Sequence, residues 1–153
     1  MGLGGIGETG LCGLQVFIFM VENFGGCRFF HVCTDGTQLP WLFRDTDDFL
    51  KGHNRVGVCK ILSNVQVYSF TLMDNHVHFV LQGTMPQCKD FINRYKHLTG
   101  KLISAKWGMK EYVRGLKSQI IPIDDLENLL DTIGYIDRNP VVAGFDRLPS
   151  EYQ

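Results

Sequence analysis

The sequence predicts an α+β domain of ferredoxin-like (RRM-like) topology: an antiparallel sheet with helices on one face, followed by a C-terminal helix that carries Tyr135. Three observations predict it. Short strand-like apolar runs alternate with longer stretches of helical periodicity in the order strand, helix, strand, strand, helix, strand, helix. The second and third strands are separated only by Asp74 and Asn75, and so short a turn demands an antiparallel hairpin. The helical stretches also open on residues suited to cap them.

The regular pattern begins at residue 27. Arg28 to Thr34 reads as the first strand, closed by the turn signal Asp35-Gly36. Asp45-Thr46-Asp47-Asp48 supplies a helix cap and acidic residues for the positive end of a helix dipole. The helix is expected from Thr46 to Leu62, weakened by Gly52 and Gly57. Val65 to Met73 is the second strand and His76 to Gln82 the third. Thr84 caps the second helix, whose first turn tolerates Pro86 and whose apolar stripe is Phe91, Ile92, Tyr95, Leu98, Leu102 and Ile103. A fourth strand is expected from Val113 to Ile123, and a last helix begins at Asp124-Asp125.

A chain of 153 residues can bury one core without disulfides or structural metal. Its five cysteines are scattered and contain no CxxC, so reduced thiols and a cytoplasmic location are expected. The longest apolar run, Val16 to Val21, is too short to span a bilayer, and no membrane partner is expected. Residues 1–26 read as a flexible or atypical extension, within which 14–21 would suit an extra strand. Gly2-Leu3-Gly4-Gly5-Ile6-Gly7 matches GxGxxG there, but only Met1 precedes it, so the strand a dinucleotide site needs is missing.

The net charge of −1 conceals a polarity. Residues 84–121 carry Lys89, Arg94, Lys96, Lys101, Lys106, Lys110, Arg114 and Lys117 against Asp90 and Glu111, a local balance of +6, while 122–153 carry −5. The basic segment is either a polyanion-facing surface or a solvated face that balances an acidic one.

Two places carry candidate chemistry. His76 and His78 are two apart in a strand-like run, so both project from one face, about 6–7 Å apart. They are either two ligands of one metal ion or a core histidine beside a chance neighbour. His31, in the first strand, is a third candidate ligand, although a strand histidine flanked by hydrophobes is more often structural. On the last helix, Leu126, Leu129, Leu130, Ile133 and Ile136 form an apolar face, while Tyr135 and Asn139 leave it together, four residues apart. A hydroxyl and an amide are thus offered side by side. Otherwise Tyr135 is an exposed residue near a helix end broken by Pro140.

These residues carry a family resemblance. Leu72-Met73-Asp74-Asn75-His76-Val77-His78-Phe79-Val80 resembles the "LMPNHVH" block of the single-tyrosine HUH transposases. Tyr135-Ile136-Asp137-Arg138-Asn139-Pro140-Val141-Val142-Ala143-Gly144 resembles their "YIxxNPVxAG" block, specifically that of the REP-associated branch. Phe30-His31-Val32 and Leu42-Phe43-Arg44-Asp45 are similar to that family's opening strand and approach to the first helix. The resemblance spans residues 27 to about 146, within a domain taken as 27–153.

The resemblance implies a DNA transposase that nicks and rejoins single-stranded or hairpin DNA. His76, His78 and Asn139 would be metal ligands and Tyr135 the nucleophile. A divalent ion, Mg²⁺ or Mn²⁺, would serve to bind and orient the scissile phosphate. Attack would leave a 5′-phosphotyrosine and a free 3′-hydroxyl. A phenol has a reference pKa of about 10, so it needs activation near neutrality. Lys89, Arg94, Lys96, Lys101, Arg114 and Lys117 would then face DNA, with salt-dependent affinity. The resemblance allows either a monomer or a homodimer in which a partner supplies the tyrosine. Asp74 departs from the family's usual proline, and the chain stops soon after Asp146, where many relatives continue. The alternative function is a non-catalytic single-stranded nucleic-acid-binding relative with a vestigial tyrosine. A structural zinc site would want a fourth strong ligand.

Overall fold

The computed structural model of the protein describes residues 27–108, 113 and 115–142, except for the side chains of 140–142. The expected extension 1–26, Arg114 and the end of the second motif block lie outside the described residues. The elements are β1 (Arg28–Thr34), α1 (Thr46–Ser63), β2 (Gln66–Leu72), β3 (Val77–Gly83), α2 (Met85–Trp107), β4 (Ser118–Ile123) and α3 (Leu126–Val142). The sheet order is β2-β3-β1-β4, with every neighbouring pair antiparallel. This is the α+β, ferredoxin-like arrangement with one added helix.

Strand alternation divides the side chains between two faces. Phe30, Val32, Val77, Phe79 and Leu81 point to one face and form the main core with Phe91, Ile92, Tyr95 and Ile103 of α2 and Val56 of α1. Phe29 and Val80 point to the other face and meet Ile123, Leu129 and Ile136, so α3 packs on the side opposite α1 and α2. Strand β2 keeps the same division through a bulge at Tyr68, between Val67 and Ser69. The extra residue lets Val67 and Phe70 both reach the main core while the Tyr68 hydroxyl donates to Gln82 Oε1 (2.9 Å) on the α3 side.

Each helix starts for a local reason. The Asp45 side chain accepts from Asp48 N at the start of α1. Thr84 and Gln87 form a capping box at the start of α2. Gly52 is required rather than merely tolerated, since a Cβ there would lie 2.7 Å from Phe43 and 2.9 Å from Leu72. The buried Asp48 carboxylate accepts from Arg44 N, Lys106 Nζ and Trp107 Nε1, which clamps the start of α1 to the end of α2.

Three boundaries differ from expectation. Strand β4 begins at Ser118, not Val113. Val113 and Leu116 are both buried and joined by a turn bond from Leu116 N to Val113 O, and residues three apart cannot share one face of a strand. Strand β3 begins at Val77, which leaves His76 in the turn closed by Met73 N donating to His76 O (2.8 Å). Helix α3 continues past Pro140 to Val142.

That continuation has a specific support. Proline at 140 has no N–H to give the carbonyl of Ile136, four residues back. Thr71 Oγ1 donates to that carbonyl instead, at 3.0 Å in a buried position. The bond a helix proline removes is therefore replaced by one from β2, and it ties α3 to the sheet. Leu130, expected on the apolar face of α3, is 60% exposed. No helix among the described residues is long and apolar enough to cross a membrane.

Candidate metal centre and tyrosine

The site lies on the α3 side of β1 and β3. His78 pairs in register with Cys33 of β1 and Thr71 of β2. His31 and Cys33 occupy alternate positions of β1, so strand alternation gives them the same face. The His31 and His78 rings stack at 5.2 Å, with His31 Nε2 and His78 Nδ1 3.0 Å apart. His76, outside the ladder, turns its ring 84° to that of His78, with the centroids 4.9 Å apart. The two histidines of the motif therefore meet edge to face, closer than two positions along a regular strand.

The hydrogen bond to Asn75 defines which nitrogen of His76 carries the proton. Asn75 Nδ2 donates to Gly36 O (2.9 Å), which leaves Asn75 Oδ1 facing His76 Nδ1 at 2.6 Å. An amide oxygen only accepts, so His76 holds its proton on Nδ1 and keeps its lone pair on Nε2. Hydrogen bonding of one ring nitrogen in this way orients the other for a metal. Between His78 Nδ1 and His31 Nε2 either nitrogen can donate; donation from His78 leaves its Nε2 with the lone pair, and donation from His31 leaves the lone pair of His78 on Nδ1. Gly36 completes the cradle, because a Cβ there would stand 2.9 Å from His76 Nδ1.

Burial keeps all three rings neutral. It lowers the pKa of His31 and His76, the latter partly restored by the nearby Asp74 carboxylate. Burial pushes His78 down to about 3, with its two neighbouring imidazoles acting in the same direction. Burial and Asp35 raise the Cys33 thiol.

Helix α3 brings the tyrosine. It starts beside Ile123, at the Phe29 end of the sheet, and reaches Thr71, the register partner of His78, at Ile136. The half-exposed Tyr135 ring packs edge-on to His78 at 5.7 Å and His31 at 6.4 Å. Asn139 lies one turn further on, and its side-chain nitrogen is buried without a hydrogen-bond partner. The oxygen and nitrogen of an amide exchange by a simple flip. A buried amide end with an unmet polar atom and two uncharged imidazoles are donor groups of the kind that can hold a divalent ion.

The basic residues are dispersed. Lys89, Arg94 and Lys101 are exposed on α2, across the sheet from Tyr135. Arg94 is paired with Asp90 at 2.7 Å. Lys96 turns inward, and its Nζ donates to Leu116 O at 2.9 Å. Lys117 is exposed at the start of β4, at the sheet end shared by Cys33 and His78. Beside it, Gln119 and Ile121 of β4 are exposed opposite Cys33 and His31. Among the described residues α3 packs mainly over β2 and β3, which leaves Gln119 and Ile121 uncovered.

Sequence reasoning gave His31 only half its weight and missed Cys33, Asn75 and Gly36. One signal was available: His31-Val32-Cys33 has the same two-residue spacing as His76-Val77-His78.

No protein-family model matches the sequence, and no curated protein is similar to it. Solved structures are. A REP-associated tyrosine transposase bound to a REP hairpin aligns with a TM-score of 0.54 and 14% identity, over 84% of this chain and 74% of that one. A candidate transposase from Deinococcus radiodurans R1 aligns with a TM-score of 0.50 and 12% identity, over 76% of this chain and 93% of that one. At such identities the likeness establishes a shared, transposase-like fold.

Proposed function

We propose that the protein is a metal-dependent DNA strand transferase of the HUH single-tyrosine kind, with Tyr135 as nucleophile. The observation that carries this reading is the position of the Tyr135 ring, delivered by a separate helix onto the stacked pair His31 and His78. His76, His78 and Asn139 would hold the ion, Mg²⁺ or Mn²⁺. When bound, such an ion supplies positive charge that polarises a phosphodiester.

Within this reading the chain's own groups have distinct tasks. Tyr135 Oη forms a bond to phosphorus as the bond to the neighbouring 3′-oxygen breaks. The phenolic proton leaves and the departing oxygen gains one, giving a 5′-phosphotyrosine and a 3′-hydroxyl. One phosphodiester replaces another, so rejoining needs no ATP. Asn75 and His31 are positioning residues that hold the two imidazoles in one orientation. The open β1–β4 half of the face, with Lys117 at its end, would admit a single strand. Lys89, Arg94 and Lys101 would reach only DNA that wraps the sheet edge, and Lys96 is committed to Leu116.

The test is incubation with single-stranded hairpin oligonucleotides and Mn²⁺, read as a covalent protein–DNA adduct in denaturing gels. The wild type is expected to form one and Tyr135→Phe none. Hairpin binding without an adduct for any oligonucleotide would favour the non-catalytic binding module. An adduct with Tyr135→Phe would move the nucleophile elsewhere.

A further inference from the structure

The set read from the motif, His76, His78 and Asn139, does not account for every ligating group on this face. The nitrogen and sulfur atoms of His31, Cys33 and His78 all lie within 4.8 Å of one another. Cys33 is a free thiol directly opposite His78 in the ladder. Tetrahedral zinc holds nitrogen at about 2.0–2.1 Å and sulfur at about 2.3 Å, which places two nitrogens roughly 3.3 Å apart and nitrogen from sulfur roughly 3.6 Å apart. The His31–His78 separation of 3.0 Å is already close to that bite. The Cys33 sulfur, within 4.8 Å of a ligand nitrogen of each ring, completes the set.

A contrast within the molecule strengthens this assignment. Among the described residues the other cluster of ligating groups, Asp45, Asp47 and Asp48, has an occupant: Lys106 Nζ contacts all three carboxylates at 2.8–3.0 Å. The histidine–cysteine set has no cation of the protein's own among its described partners. Among the described residues, the β4 register partners of Cys33 and His31, Gln119 and Ile121, are exposed beside it.

We propose that His31, Cys33 and His78 form a thiophilic metal centre that takes Zn²⁺, with a fourth position left for water or a ligand, and that it is alternative to the hard-ion set. The alternation, which rests on the function proposed above, follows from the chemistry of imidazole. A neutral ring has a single in-plane lone pair. His78 serves the thiophilic centre through Nδ1, with its proton on Nε2, or the hard-ion set through Nε2, with its proton on Nδ1. Binding at the thiophilic centre displaces the Cys33 thiol proton to solvent. Zinc would therefore inhibit strand transfer by withdrawing a ligand.

The test is titration of the full chain with Co²⁺ under a non-thiol reductant. One equivalent is expected to give a thiolate-to-cobalt charge-transfer band and the visible bands of a tetrahedral ion, both displaced by Zn²⁺. Cys33→Ser should remove the charge-transfer band. His31→Gln should weaken binding by roughly tenfold or more. His76→Ala should leave the band in place, with circular dichroism confirming that each variant is folded. No band in the wild type, a band surviving Cys33→Ser, or its loss in folded His76→Ala would overturn the centre. Free Mn²⁺ followed by electron paramagnetic resonance then tests the alternation. One equivalent of Zn²⁺ should release bound Mn²⁺ from the wild type but not from Cys33→Ser. Mn²⁺ that stays bound beside Zn²⁺, or never binds, would overturn the shared-ligand claim while leaving the cobalt centre standing.

Discussion

On β3, Val77, Phe79 and Leu81 are wholly buried against the main core, whereas His78 and Val80, on the intervening positions, look towards α3. The first face is dry and apolar, and α1 and α2 close over it. The second is half covered, and its partly buried polar groups are linked by hydrogen bonds, Gly36 with Asn75 and Asn75 with His76, and His31 with His78. The same strands thus supply a core on one side and a candidate reaction centre on the other. One face holds the backbone still so that the other can hold imidazoles at fixed angles.

Phe79→Ala should have the largest effect, on the apolar face. Phe79 is fully buried and packs on Phe91 and Tyr95 at ring separations of 5.0 Å, so its loss should cost about 3–5 kcal/mol in denaturant unfolding. Next comes acidification of the metal-free protein. His78 has a folded pKa of about 3, below its unfolded value of 6.5, so the unfolded state binds more protons between those values. Stability should be fully present above pH 6.5 and fall with pH, by about 3 kcal/mol at pH 4. In His78→Asn, unfolding measured over the same pH range should show a shallower loss.

Gly36→Ala should separate site from core. The added methyl would push on His76, so Mn²⁺ affinity measured by calorimetry is expected to fall about 10–100-fold with little change in melting temperature. The smallest effect belongs to the tie between β2 and α3. Thr71→Val strands the Ile136 carbonyl and should cost about 1–3 kcal/mol. In a Pro140→Ala background, where the substituted residue has a backbone N–H to supply the missing helix bond, the cost should shrink. A double-mutant cycle on unfolding free energies reads the difference.

The fold was legible because its signals are local. Strand alternation, the Asp74–Asn75 turn and the caps at Asp45 and Thr84 each act within a few residues, and together they leave few topologies. Across-sheet relations were not legible. Nothing near His31 reveals that its ring will stack on His78, because that pairing depends on the β1–β3 register. The basic helix showed its charge but not its side of the sheet, which only the packing of Phe91 and Tyr95 decides. Pro140 read as a stop because its remedy, Thr71, lies 69 residues earlier in the chain. His31-Val32-Cys33 is the exception, a pattern whose spacing was visible and whose partner was not.

The claim that Tyr135 is the reacting group is tested most directly by mapping the covalent bond. Hairpin DNA and Mn²⁺ are incubated with the protein, the adduct is digested, and the nucleotide-bearing peptide is sequenced by mass spectrometry. A single phosphotyrosyl linkage at Tyr135 is expected. A linkage at Tyr68, Tyr95, Tyr112 or Tyr152, or none despite tight hairpin binding, would contradict it.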